Sequence, residues 1–272
     1  MKQRTQQLLA IPYYLWIVFF VIAPILLLVY RSFFAIDGSV TLGNYTEFFL
    51  NRYYVQMTIT SFIMATIVTF VTFILAYPMA YFLTKTKRKD LWLMLIILPT
   101  WINLLLKIYA FIGLLSRTGP INHFLEQLGA ESQQLLFTNA AFVLVAAYVE
   151  LPFMMLPIFN SIDEIPNSLI EASLDLGSSE WDTLRRVIFP LSLRGVTSGV
   201  QAVFIPSLSL FMLTRLIGGN RVITLGAAVE QHFLVTQNWG MGSTIGVVLL
   251  ILMVIVMLVT RQKDNPGGVT YE

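Results

Sequence analysis

Six long apolar runs constrain this chain more than any other feature. They occupy roughly residues 11–30, 58–83, 91–115, 141–162, 195–217 and 243–260. About 20 apolar residues carry a helix through the hydrocarbon core of a bilayer. Within that core every backbone N–H and C=O must be satisfied internally. The runs therefore predict an all-α integral membrane protein with six transmembrane helices. Composition agrees, with 57% hydrophobic and 12% charged residues, about half the charge of a soluble domain. The final run is the shortest and cleanest; the third and fourth contain charges and prolines. The opening MKQRTQQLLA is basic, and the run after it extends from Ile11 to Tyr30 and ends in Arg31. A signal peptide has a shorter core and a small-residue cleavage site, so this run reads as a retained span.

The loops predict an orientation. With the N-terminus inside, the cytosolic parts hold Lys2, Arg4, Lys85, Lys87, Arg88, Lys89, Arg185, Arg186, Arg194, Arg261 and Lys263, which is 11 of the 17 basic residues. The cluster KTKRKD at 85–90 is the strongest cue, because short basic loops stay in the cytosol. Both termini are then cytosolic, and Tyr13, Tyr14 and Trp16 form an interfacial aromatic belt. The net charge of +2 is small and its basic residues are scattered through loops, which argues against a nucleic-acid partner.

Two outer segments look helical. In PINHFLEQLG, residues 120–129, Ile121, Phe124, Leu125 and Leu128 share one face, with Pro120 at the start and Gly129 at the stop. The second is LGAAVEQHFL at 225–234. Each either covers the mouth of the bundle or docks an extracytoplasmic partner. His123 and His232 sit on separate outer loops. The absence of cysteine excludes thiolate metal sites and cysteine nucleophiles. No G-x-x-x-x-G-K-[ST] phosphate loop and no H-E-x-x-H occurs. No catalytic or metal site is therefore assigned, and the chain is expected to be no enzyme.

The most polar interruption, EASLDLGSSEWDTLRRVIFP at 171–190, falls between the fourth and fifth runs and hence in the cytosol. Pro166 opens a helix, and Ser168 with Glu171 has capping-box spacing. Gly177 sits where a left-handed cap belongs. Ser179 and Asp182 start a second helix, Arg185 and Arg186 complement its dipole, and Pro190 ends it. Trp181, Leu184 and Ile188 share one face that needs a packing partner, either the underside of the bundle or another protein.

That spacing resembles the EAA loop of permease subunits in binding-protein-dependent ABC importers: Glu-Ala-Ala, three residues, Gly, nine residues, Ile, one residue, Leu-Pro. Here Glu171, Ala172, Ser173, Gly177, Val187, Phe189 and Pro190 occupy those positions. Ser173, Val187 and Phe189 are mild departures, and the spacing is intact. TLGNYTEFF, YPMAYFLTK, WINLLLKIYAFIGLL, LPFMMLPIFNSID and LIGG are similar to the B-type permease branch of spermidine/putrescine importers. The resemblance implies a type I ABC importer permease fold, with this loop as the coupling helix that docks on an ATPase. It further implies a second permease subunit, two ATPase subunits that bind the ATP and magnesium, and an extracytoplasmic binding protein that delivers a polyamine. It divides the chain into an N-terminal span and outer loop (1–56), a permease core (57–260, coupling loop about 164–190) and a cytosolic tail (261–272). A multi-pass protein of a prokaryotic cell membrane follows. Permeases for sulfate, molybdate or a sugar stay open as alternatives, as do an ion-coupled secondary transporter and a membrane-embedded enzyme.

An ionisable residue inside a span is a functional-site candidate. Lys107 in span 3 and Glu150 in span 4 stand out, each about 12–14 Å below the outer boundary at 1.5 Å per residue. They either pair with each other, or Glu150 faces a wet pathway and attracts a cation. Trp101, Tyr109 and Tyr148 are aromatic candidates for cation–π contact, each alternatively a packing residue. Asn103 and Lys107, four apart, are expected on one helical face. Gln201 and Pro206 are weaker candidates, and Arg215 is expected to meet headgroups or an outer partner. Spans 1 and 6, with almost no polar content, are expected to form the lipid-facing shell.

Overall fold

A computed structural model of the chain describes residues 11–219, 221 and 223–260. The basic residues Lys2, Arg4, Arg261 and Lys263 and the tail 261–272 lie outside the described residues. The elements are α1 (Ile11–Ser32), α2 (Gly43–Leu50), α3 (Arg52–Thr84), α4 (Lys89–Ile97), α5 (Leu104–Leu115), α6 (Pro120–Gln127), α7 (Asn139–Asp163), α8 (Asn167–Asp175), α9 (Glu180–Leu191), α10 (Leu193–Ser207), α11 (Phe211–Leu216), α12 (Leu225–Glu230) and α13 (Trp239–Thr260). Among the described residues there is no β-strand, only an isolated bridge between Phe34 and Val40.

Five stretches are long and apolar enough to cross a membrane: Ile11–Ser32, Arg52–Thr84, Leu104–Gln127, Asn139–Asp163 and Trp239–Thr260. The pair α9–α10, bent by 65°, passes the same test only when its two halves are taken together. The all-helical expectation thus holds, with two changes of continuity. The expected third span, 91–115, is two half-helices. Pro99 lacks an N–H and cannot continue an α-ladder, so residues Leu98–Trp101 tighten to a 3₁₀ turn before α5 restarts. Span 3 therefore crosses as α5, with α6 following a turn at 116–119. The fifth span, expected to run to 217, breaks after Ser207 and resumes as α11.

Span 4 (α7) is the hub. It packs most heavily on spans 2 and 5, and their joint core gathers Val68, Ala76, Phe142, Met154, Ile158 and Val203. In lipid, helices associate through close backbone packing rather than apolar burial. Gly195 and Gly199 provide it. A Cβ on Gly195 meets the Pro157 carbonyl oxygen, and one on Gly199 lies 2.8 Å from that of Met154. A second core joins Phe48, Met57, Leu208, Leu225, Met241 and Ile245.

That second core corrects the expected roles of span 6 and of 225–234. The outer half of α13, Gly240 to Leu249, is largely buried, and only its inner half is exposed. Span 1 has no buried residue before Ser32 and rests on α13, with Leu28 against Gly246. The first part of segment 225–234 is buried at Leu225, Gly226 and Ala228, whereas Gln231 and Leu234 stay exposed. Ser61 Oγ accepts the Leu225 N–H at 2.8 Å, and Gly226 abuts the Ser209 backbone. Small residues let α12 enter the bundle where a larger side chain stops it.

Candidate functional site: the inner coupling loop and the intramembrane charges

The inner loop folds as helix, turn, helix. The first cap departs from expectation: α8 begins at Asn167 with Pro166 in the N-cap position and no side-chain cap, so Ser168 is already inside the helix. Proline fixes φ at the entry, and the Leu169 N–H donates to the Pro166 carbonyl at 3.0 Å. Gly177 has φ +83°. Its N–H donates to Leu174 O at 2.9 Å, and that of Ser178 to Ser173 O at 3.2 Å, the two bonds of a Schellman turn. Ser179 caps the second helix by accepting the Asp182 N–H at 3.1 Å.

Pro190, in contrast, does not end the second helix. The chain widens into a π-turn over Leu184–Ile188 and continues through Phe189–Leu191. The widened turn accommodates a residue that has no N–H to give. The bend falls at Ser192, a fully buried residue whose hydroxyl meets Tyr77 Oη at 3.0 Å. Phe189 packs edge-on to Tyr77 at 5.5 Å.

Glu171 and Ala172 are exposed on α8, and Leu176 at the apex is 88% exposed. Val187 is half-buried, Pro190 exposed. Ser173 turns inward, its Oγ 3.0 Å from Thr183 Oγ1. The shared face expected of Trp181, Leu184 and Ile188 grades from surface to core: Trp181 is exposed, Leu184 half-buried and Ile188 buried. Behind the loop lies a cavity of about 310 Å³ bordered by Tyr81, Ile162, Leu174 and Thr183.

Two ion pairs join this loop region to the basic inner loop. Lys85 Nζ meets Glu180 at 3.1 Å, and Lys89 meets Asp163 at 2.7 Å. Lys85 also stands 4.6 Å over the Tyr81 ring. Tyr81 first, then Glu180, holds the ammonium pKa above its ordinary value against partial burial. Such exposed pairs are worth about 0–1 kcal/mol each. By sequence, KTKRKD reads only as a topology signal. The acids Asp163 and Glu180 were visible, but nothing in sequence spacing linked them to lysines 74 and 95 positions away.

Within the membrane, Glu150 is 5% exposed on α7. It lies near enough to Lys107 for the charges to attract, yet no ion pair within 4.0 Å forms between them. Its carboxylate accepts no hydrogen bond among the described residues. The aromatic candidates do not converge on it. Trp101, Tyr109 and Tyr148 are 76%, 59% and 41% exposed. Tyr148, two residues from Glu150, sits round the helix from it and packs edge-on to Phe111 at 5.0 Å. Asn103 precedes α5 as its N-cap, accepting the Leu105 N–H at 2.8 Å. It is thus the cap of the helix that carries Lys107, whose N–H donates to the Asn103 carbonyl at 3.2 Å.

Other polar candidates acquire partners inside the chain. Gln201 Nε2 donates to Thr260 Oγ1 at 2.6 Å, closing span 5 on span 6. Pro206 lies just before the break in span 5. Arg215 pairs with Glu230 at 3.3 Å, and its side chain stays largely exposed. His232 is half-buried and 3.0 Å from Tyr54 Oη, whereas His123 is exposed. In α6 the expected apolar face stays exposed at Ile121, Phe124 and Leu128, and Asn122 is the buried residue. Its side chain bridges Ser116 O and the Gln133 backbone.

Residues 48–264 match the family described as binding-protein-dependent transport system inner membrane component. The chain belongs to that family. This member is 34% identical over 260 residues to the spermidine/putrescine transport system permease protein PotB of Haemophilus influenzae, covering 92% of this chain and 91% of the relative. It is 35% identical over 254 residues to PotB of Escherichia coli K12, covering 90% and 92%. Among solved structures, a subunit of a bacterial alginate ABC transporter in complex with a pentasaccharide-bound periplasmic protein superposes with TM-score 0.82 at 13% identity, covering 95% of this chain and 93% of that one. A chain of the MetNI methionine ABC transporter gives 0.57 at 18%, covering 76% and 92%. The permease thus has the type I ABC importer fold, and it is a multi-pass membrane transport component.

Proposed function

We propose that this chain is the membrane-spanning subunit of an ATP-driven polyamine importer, carrying spermidine or putrescine inward by alternating access in a prokaryotic cell membrane. The observation that carries the reading is the 34–35% identity to spermidine/putrescine permeases over nine-tenths of the chain. The chain has no phosphate loop of its own, which is consistent with ATP and magnesium bound on two partner ATPases. The exposed α8–α9 turn, with Glu171, Ala172 and Leu176 at its surface, is the handle they pull. A second permease subunit completes the pathway, and a binding protein presents solute at the outer face. Glu150 is the residue proposed to attract the cation. Its support is a carboxylate buried at membrane depth without a direct ion pair, a costly arrangement that marks functional positions.

The test is uptake of labelled spermidine by cells lacking their own polyamine importers and expressing this chain with its co-encoded partners. Saturable, ATP-dependent uptake competed by putrescine is expected. Uptake that ignores polyamines while sulfate or a sugar enters overturns the solute assignment. Transport that follows an ion gradient without any ATPase overturns the mechanism.

A further inference from the structure

An open groove of about 750 Å³ lies between the inner part of α3 and the helix α9. Phe73, Tyr77 and Tyr81, four residues apart on α3, form one wall; Trp181, Leu184 and Phe189 form the other. Phe73 lies eleven positions before the inner end of α3 at Thr84, so the wall reaches about 16 Å into the bilayer at 1.5 Å per residue. One leaflet of a hydrocarbon core about 30 Å thick has that depth.

The charged end of the groove is asymmetric. Glu180 and Arg185 border it. Glu180 is matched by Lys85, whereas Arg185 is exposed and makes no ion pair among the described residues. What remains uncompensated is a guanidinium at the cytosolic boundary, whose planar donors suit a phosphate. Trp181, 69% exposed beside it, has the amphipathic ring found at headgroup level.

We propose that this groove binds one anionic phospholipid of the inner leaflet, its phosphate on Arg185 and an acyl chain along the Phe73–Tyr81 wall. The lipid covers the apolar face of α9 that the bundle leaves open. It also ties the coupling segment to span 2 where Tyr77 already holds the Ser192 bend. An amphiphile matches both the apolar trough and the unpaired guanidinium at its mouth.

The full chain, purified with the subunits that accompany it, is reconstituted with phosphatidylglycerol or phosphatidylcholine carrying a diazirine in the acyl chain. After irradiation the labelled peptides are mapped. Labelling at 73–82 and 181–189 is expected to be severalfold greater with phosphatidylglycerol. Arg185→Gln should reduce it to the phosphatidylcholine level, and Arg185→Lys should retain most of the preference. Equal labelling by both lipids, a preference that survives Arg185→Gln, or a groove unlabelled by either lipid because protein seals it, each overturns the proposal.

Discussion

The hydroxyls of Ser173 and Thr183 lie 3.0 Å apart and tie the two helices of the inner loop to each other. Thr183 is 2% exposed, so its hydroxyl has few alternatives. Removing one partner leaves the other unsatisfied at a cost of about 1–3 kcal/mol, whereas replacing both by apolar groups is nearly neutral. Ser173→Ala should therefore lower the thermal midpoint of the purified complex, and Ser173→Ala with Thr183→Val should recover most of it. Additive losses in that double-mutant cycle would show that the contact carries no coupling energy.

Gly177→Val should impair transport while leaving the spans folded. At φ +83° a β-branched side chain costs about 1–2 kcal/mol, and the turn must reopen to relieve it. The space around Gly177 is otherwise empty, so the effect is conformational and not a clash. Normal uptake at normal expression counts against a role for this turn in coupling.

Glu150→Gln keeps the volume of the side chain and removes its charge. A hydrogen bond to a charged group is worth about 1.5–3 kcal/mol, so uptake of a cationic solute should fall about 10–100-fold, with assembly and basal ATPase activity retained. Unchanged uptake kinetics with intact assembly sinks the pathway role of this residue.

Gly199→Leu should disrupt assembly, because its side chain must displace the Met154 backbone at the span 4–span 5 contact. Overpacking of this kind costs about 1–3 kcal/mol or more. Gly113→Ala is the matched control: an added Cβ there meets nothing within 4 Å. Membrane yield and monodispersity of the two variants separate packing from helix propensity.

His232 gives a pH dependence of known sign. Burial pushes its pKa below the ordinary value of 6.5, against the opposing pull of Glu47. The neutral ring meets Tyr54 Oη and Thr236 Oγ1. A base with a depressed folded pKa contributes stability that is fully present above the unfolded pKa and is lost as pH falls through the folded one. Thermal stability should therefore decline as pH drops below about 6.5, and His232→Gln should flatten that part of the profile. A profile identical in the two proteins refutes the assignment.

Much of the inner loop was legible in sequence because its signals are local. Gly177 and Ser179 act within a few residues of themselves, and a positive φ or an N-cap leaves the same signature in any fold. The cap expected at Ser168 falls at Pro166, and the helix expected to stop at Pro190 continues to Leu191. In each case a neighbouring backbone option, a proline entry or a π-turn, satisfied the geometry differently. The intramembrane charges were legible as outliers, but their relation was not. Equal depth on antiparallel spans does not fix the rotation of either helix about its axis.

The sequence by itself determined the apolar runs that become spans and the helix–turn–helix of the inner loop, and its basic clusters predict an orientation. Hydropathy, basic clusters and caps are read along the chain, one segment at a time. Only the tertiary structure decided that 225–234 enters the bundle, that span 6 is half core, and that Lys85 and Lys89 reach Glu180 and Asp163. Only it revealed the groove of α3 and α9. Those outcomes depend on which faces meet, and in lipid that is set by shape: where a glycine admits a neighbour's backbone, two helices close, and where none does, a surface stays open. Hydrophobicity cannot choose among such faces, because lipid tails satisfy an apolar side chain as well as another helix does.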